Sequence, residues 1–200
     1  MTWTVGFVNR AAESELNALP DDMRAHFARI AVMIRDHGLP AMREPYVKHL
    51  MGKLWEIRMK GRDGIARSIY ATASGKRVVV LRTFVKKTEK TPTRDNDCSG
   101  AREGDRRMRS FDAWLKQQLK NPAFKREYKA LEEEFTLAGE LIGARARAKL
   151  TQAEVARRMG TSQSAVARME SGRALPSTAS LRKYAKAVGH RVVITLKKAA

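Results

Sequence analysis

The chain holds a single cysteine, Cys98, among its 200 residues, which excludes an internal disulfide framework and leaves no thiolate constellation for a metal. Its four histidines, His26, His37, His49 and His190, show no ligand spacing, so neither metal catalysis nor any other cofactor is expected. No apolar run approaches the roughly 18 residues of a membrane span, and no signal-peptide pattern opens the sequence. A soluble, cytoplasmic protein is the expectation. Acids are scarce as well: 21 Asp and Glu stand against 40 Lys and Arg, a net charge of +19.

That excess is divided. Residues 1–92 hold 17 basic and 9 acidic residues, 93–107 hold 4 of each, and 108–200 hold 19 and 8. Two separately basic halves around a neutral middle point to two polyanion-binding surfaces. Membrane-surface binding competes weakly, because no stretch pairs a strong basic face with a broad aromatic one. The length allows one or two domains with cores of their own.

The most ordered signal lies at 150–172, LTQAEVARRMGTSQSAVARMESG. Thr151 with Glu154 spells a capping box. Gly160 is the residue able to stop a helix by turning left-handed, and Ser162 can cap the next one. On a helical wheel Ala165, Val166 and Met169 share one side, while Gln163, Ser164 and Arg168 share the other. An apolar back and a short polar front suit a helix that enters the major groove of DNA. The stretch resembles the helix-turn-helix of the XRE and HigA antitoxin family. The resemblance implies that Gln152 holds a phosphate, that Gln163, Ser164 and Arg168 face bases beside the cap Ser162, and that Arg145 and Glu170 form an internal ion pair. Arg173, in the loop before Pro176, adds a cation within reach of phosphate.

The N-terminal half follows another pattern. Residues 3–8 read as a strand, and 11–37 as helix broken at Leu19-Pro20. Period-two alternation then begins at Leu54, with Trp55, Ile57 and Met59 on one face and Glu56, Arg58 and Lys60 on the other. Strands at 65–72 and 76–85 complete an antiparallel sheet. Residues 1–92 are therefore an α+β unit.

HLMGKLWEIR at 49–58, RSIY at 67–70 and VLRTFVKKTEKTP at 80–92 resemble the HigB branch of the RelE-like toxins. That resemblance implies a ribosome-dependent endoribonuclease that cleaves mRNA. Metal-free cleavage needs a base for the 2′-hydroxyl, positive charge around the phosphorane-like transition state and an acid for the leaving oxygen. Lys53, Arg58, Arg67, Tyr70, Arg82, Lys86 and Lys87 are the candidates. Arg58 and Arg67 would contact the scissile phosphate and Tyr70 would stack on a base. Lys86, Lys87 and Lys90 would track the RNA backbone. Arg82 stands where many relatives carry histidine, and arginine is a poor proton shuttle.

Residues 93–107, TRDNDCSGAREGDRR, lack any apolar stripe where a free-standing toxin of this type would carry a closing helix. They read as a linker at a fusion join, left by two adjacent reading frames that merged. Met108 onward resembles the start of a HigA-type antitoxin, with helices at 111–119 and from Asn121-Pro122. The acidic run Glu132-Glu133-Glu134 reads as a solvated face or, alternatively, as a cover for the basic toxin site. Helices at 137–149 and 180–188 flank the helix-turn-helix, whose domain covers about 136–189. The alternating end, HRVVITLKK, predicts a strand paired across a homodimer or with the chain's own toxin half. The expectation is a fused toxin–antitoxin protein whose DNA-binding half represses its own operon. Its partners would be operator DNA and mRNA on the ribosome, with toxin–antitoxin contact within or between chains and no membrane. The alternative is a repressor with an inactive toxin-like module.

Overall fold

Short alternating segments rich in valine and isoleucine build one sheet. The computed structural model describes residues 3–85, 108–172 and 175–195. The strands are β1 (Thr4–Phe7), β2 (Val47–Met51), β3 (Leu54–Gly61), β4 (Gly64–Ala73), β5 (Arg77–Val85) and β6 (Arg109–Ser110), in the order β2-β3-β4-β5-β1-β6. All ladders are antiparallel except β1 with β5, which is parallel. The parallel pair is possible because two helices separate β1 from the meander. Asn9 caps the first, α1 (Arg10–Asn17), by accepting from the Ala12 amide at 2.9 Å. Pro20 ends the connection, and α2 (Asp21–His37) begins with two acids at its positive end. Phe27, Ile30 and Ile34 of α2 are fully buried, as are Phe7, Ile57, Met59 and Val80 of the sheet.

Two helices follow β6: α3 (Phe111–Gln118) and α4 (Pro122–Ala130), the latter capped by Asn121, which accepts from the Ala123 amide at 2.9 Å. α3 packs beside β1 and α4 on α2. The chain divides into compact units at Met1–Glu133 and Glu134–Ala200. The division therefore falls well after 93–107, the segment read as the join, which lies outside the described residues. The cause is apolar: Phe111 and Trp114 bury themselves on Phe7 and Phe27, and Phe124 on Trp114.

The second unit is helical. α5 (Glu132–Arg147) begins within the acidic run, five residues before the start that its apolar spacing predicts, and α6 (Gln152–Met159), α7 (Gln163–Glu170) and α8 (Thr178–Ala187) follow. Leu141, Val155, Val166, Tyr184 and Val188 form its core. The predicted terminal strand is not formed over 191–195, where Val193 and Ile194 are 72% and 63% exposed. A strand exists only through a ladder partner, and among the described residues none pairs with these; 196–200 lie outside the described residues. No helix among the described residues is long and apolar enough to cross a membrane.

Candidate nucleic-acid interface

In the second unit, local chemistry sets two short helices. The Thr151 hydroxyl accepts from the Glu154 amide at 3.2 Å while the Glu154 carboxylate accepts from the Thr151 amide at 2.6 Å. Gly160 stops α6 in the left-handed region, at φ 66° and ψ 42°. Ser162 caps α7 by accepting from the Ala165 amide at 3.2 Å. Val166 and Glu170 then point inward, and Gln163, Ser164 and Arg168 are exposed. Ser162 also spans 2.9 Å to the Ser164 hydroxyl, so its oxygen already has two partners in the free protein.

Beneath this front lies a buried polar network. Arg145, 3% exposed, donates from Nε and Nη2 to the two oxygens of Glu170 at 2.6 and 2.8 Å. The Tyr184 hydroxyl stands 2.6 Å from Glu170 Oε1 and 3.0 Å from the Leu141 carbonyl. Burial and the Glu170 charge push that phenol well above its usual range. Burial alone would lower Arg145, but its hydrogen bonds to Glu170 hold the guanidinium above its ordinary value. The network ties α5, α6, α7 and α8 together through one carboxylate.

Gln152 belongs to it. The expected phosphate contact is not available to this side chain, which is 4% exposed and donates from Nε2 to Glu170 Oε2 at 2.9 Å. Its amide is spent on the carboxylate that fixes α7, so it positions the recognition helix. Arg173 lies outside the described residues.

In the first unit the register sets Arg58 directly opposite Arg67. Between them is Glu56, which sequence reading assigned to an outer polar face. It is fully buried, accepting from Arg58 Nε at 2.6 Å and from Arg67 Nη1 at 2.7 Å. Arg58 Nη1 also lies 3.8 Å from Glu44, and the Arg58 side chain keeps 28% of its exposure. One carboxylate thus holds two planar forks, and these three groups carry +1 before the more exposed Glu44 is counted; planar guanidinium forks of this kind suit a phosphodiester. The signal for Glu56 was present: an acid two residues before one arginine, on the strand that pairs with the other.

The remaining candidates are dispersed. Arg82 donates from Nε to Glu15 at 2.8 Å, and Glu15 also accepts from the Thr83 amide at 2.7 Å. Lys53 is exposed in the turn between β2 and β3. Lys86, Lys87 and Lys90 lie outside the described residues. Tyr70 is a correction: it is fully buried and stacked on Trp55 at 6.5 Å and 17°. Its hydroxyl has no hydrogen-bond partner among the described residues, and burial pushes its pKa far above the usual range despite the nearby Arg43. An enclosed ring cannot stack on a base, and the phenol is no proton donor of matched strength near neutrality. Its register opposite Trp55, on the strand face of the buried Ile57 and Met59, made it core. Within the first unit, Glu132 of the acidic run stands 3.9 Å from Arg29 of α2.

Comparison with known families gives two matches. Residues 14–102 match the family described as phage derived protein Gp49-like, and residues 143–189 match the family described as helix-turn-helix. No curated protein matches the chain. The chain therefore joins a Gp49-like domain, of the RelE and HigB toxin type, to an XRE-type helix-turn-helix domain.

Proposed function

We propose that this is a fused toxin–antitoxin protein: an mRNA-cleaving, ribosome-dependent toxin half restrained by an antitoxin half that binds its own operator as a homodimer and represses the operon. The observation that carries the reading is the union in one chain of a toxin-like domain bearing the Arg58–Glu56–Arg67 cluster and a DNA reader with an open polar front. The two arginines supply fixed positive charge for a cleaved phosphodiester. Gln163, Ser164 and Arg168 supply amide, hydroxyl and guanidinium groups for base edges.

The test has two arms. Residues 1–133, the whole first unit, should arrest growth and cut ribosome-bound mRNA, and the full chain should do so far less. Arg67→Ala should abolish cleavage by 1–133 while leaving it folded. In the second arm, the full chain should protect a site in the DNA upstream of its own gene, and Gln163→Ala should relax preference at one base position.

A second reading is favoured by the burial of Tyr70 and by Glu56 occupying both arginines: a repressor whose toxin-like unit no longer cleaves. A folded, harmless 1–133 with an intact DNA arm would establish it.

A further inference from the structure

We infer that residues 108–133 are a clasp held non-covalently on the first unit, so that this unit survives as one body when its chain is cut between 86 and 107. The inference rests on packing and holds whether or not the arginines act on RNA.

Three observations carry it. The contact has the anatomy of a protein–protein interface, with an apolar centre and a charged rim. At the centre, Trp114, 3% exposed, lies with its ring 5.9 Å from Phe7 and 6.0 Å from Phe27, both edge-on. Its indole N–H donates to Asn17 at 2.8 Å, so the one polar atom of the anchor is satisfied.

The rim is complementary. Opposite charges meet in both senses: Arg35 lies 3.1 Å from Asp112 and Arg62 2.9 Å from Glu127, while Arg109 of the later segment lies 2.5 Å from Glu13 of the earlier one. Arg29 donates from Nε and Nη2 to the Tyr128 carbonyl at 3.1 and 2.7 Å, with its guanidinium 3.8 Å from the centre of the Tyr128 ring. Tryptophan and arginine in buried, satisfied contacts are the residues that most often dominate an interface.

The backbone also takes part. Gly6 and Phe7 of β1 pair with Ser110 and Arg109 of β6, where a Cβ on Gly6 would stand 2.8 Å from the Arg109 carbonyl. The clasp therefore covers a sheet edge that would otherwise be open. Cutting the join leaves these contacts in place, so the first unit ends, as a working body, at Glu133.

The experiment places a protease recognition sequence over residues 96–101 of the full chain, cleaves it and measures mass in solution. The fragments should remain together at the mass of one chain. Arg29→Ala, which spares the apolar centre, should weaken their association by about 30-fold or more. Separation of the wild-type fragments at micromolar concentration overturns the inference. So does association at twice the mass, which would assign the clasp to a second copy. Hydrogen exchange on the uncut chain reads the same point without cleavage: amides of 111–130 should be protected like those of α2. Much faster exchange there would also overturn it.

Discussion

Glu170 is the residue on which the helical unit depends most. It accepts from Arg145, Gln152 and Tyr184 while 1% exposed. Breaking a buried pair by removing one partner costs about 3–5 kcal/mol, because the other charge stays behind uncompensated. Glu170→Ala should therefore remove much of the stability of so small a unit, seen as a lower denaturant midpoint. Gln152→Ala should cost less and act on fold before DNA contact: DNA affinity should follow the loss of folded protein, with base preference unchanged. Two glycines separate conformational strain from steric exclusion. At Gly160, with φ 66° and nothing within 4 Å of an added Cβ, alanine should cost only the left-handed penalty of about 1–2 kcal/mol. At Gly172, with φ 67°, the same Cβ would meet the Glu134 backbone carbonyl oxygen at 2.6 Å. Gly172→Ala should thus lower the melting temperature clearly more than Gly160→Ala.

At the level of elements, the start of α2 carries a pH dependence. Asp22 is partly buried, which by itself raises its pKa. That is outweighed by the Arg62 and Met23 amides, which donate to it at 2.7 and 2.8 Å, and by the Arg62 charge. The folded pKa lies below the unfolded one, so the contribution is present above the usual carboxylate range near about 4 and lost as pH falls through the folded value. Asp22→Asn should flatten the acid limb of the first unit's stability profile between roughly pH 5 and pH 2. Elements such as this were legible in the sequence wherever their cause is local. The caps at Thr151, Ser162 and Asn121 and the left-handed Gly160 each depend on residues within four positions. What escaped was set by partners far away in the chain. β2 and β6 exist only through their ladders, and Glu56 looked like a surface acid until β4 supplied Arg67. Tyr70 read as functional because strand alternation does not reveal which face is covered. That 108–133 packs on Phe7 and Phe27 was not legible either, because nothing in its own spacing names them as its partners.

For the whole molecule, the two compact units and their separate cores predict separate unfolding. The sequence offers a way to see it. All three tryptophans, Trp3, Trp55 and Trp114, lie in the unit ending at Glu133, so tryptophan emission reports that unit alone. Far-ultraviolet circular dichroism reports both, because helices occur in each. The two signals should follow different curves in denaturant, which two-state behaviour of the entire chain would forbid. Substitutions then assign the transitions. Glu170→Ala should move the part of the dichroism curve that fluorescence does not see and leave the fluorescence midpoint in place. Trp3→Phe with Trp55→Phe keeps Trp114 as sole reporter; its emission should shift to the red together with the melting of α1 and α2. Coincident curves for both probes, moved equally by Glu170→Ala, would mean that the chain unfolds as one body. In that event DNA binding by the helix-turn-helix domain would stabilise the Gp49-like domain through linkage, by an amount growing with the logarithm of DNA concentration over its Kd. Separate units give the opposite result, with bound DNA raising the dichroism midpoint and leaving tryptophan emission unmoved.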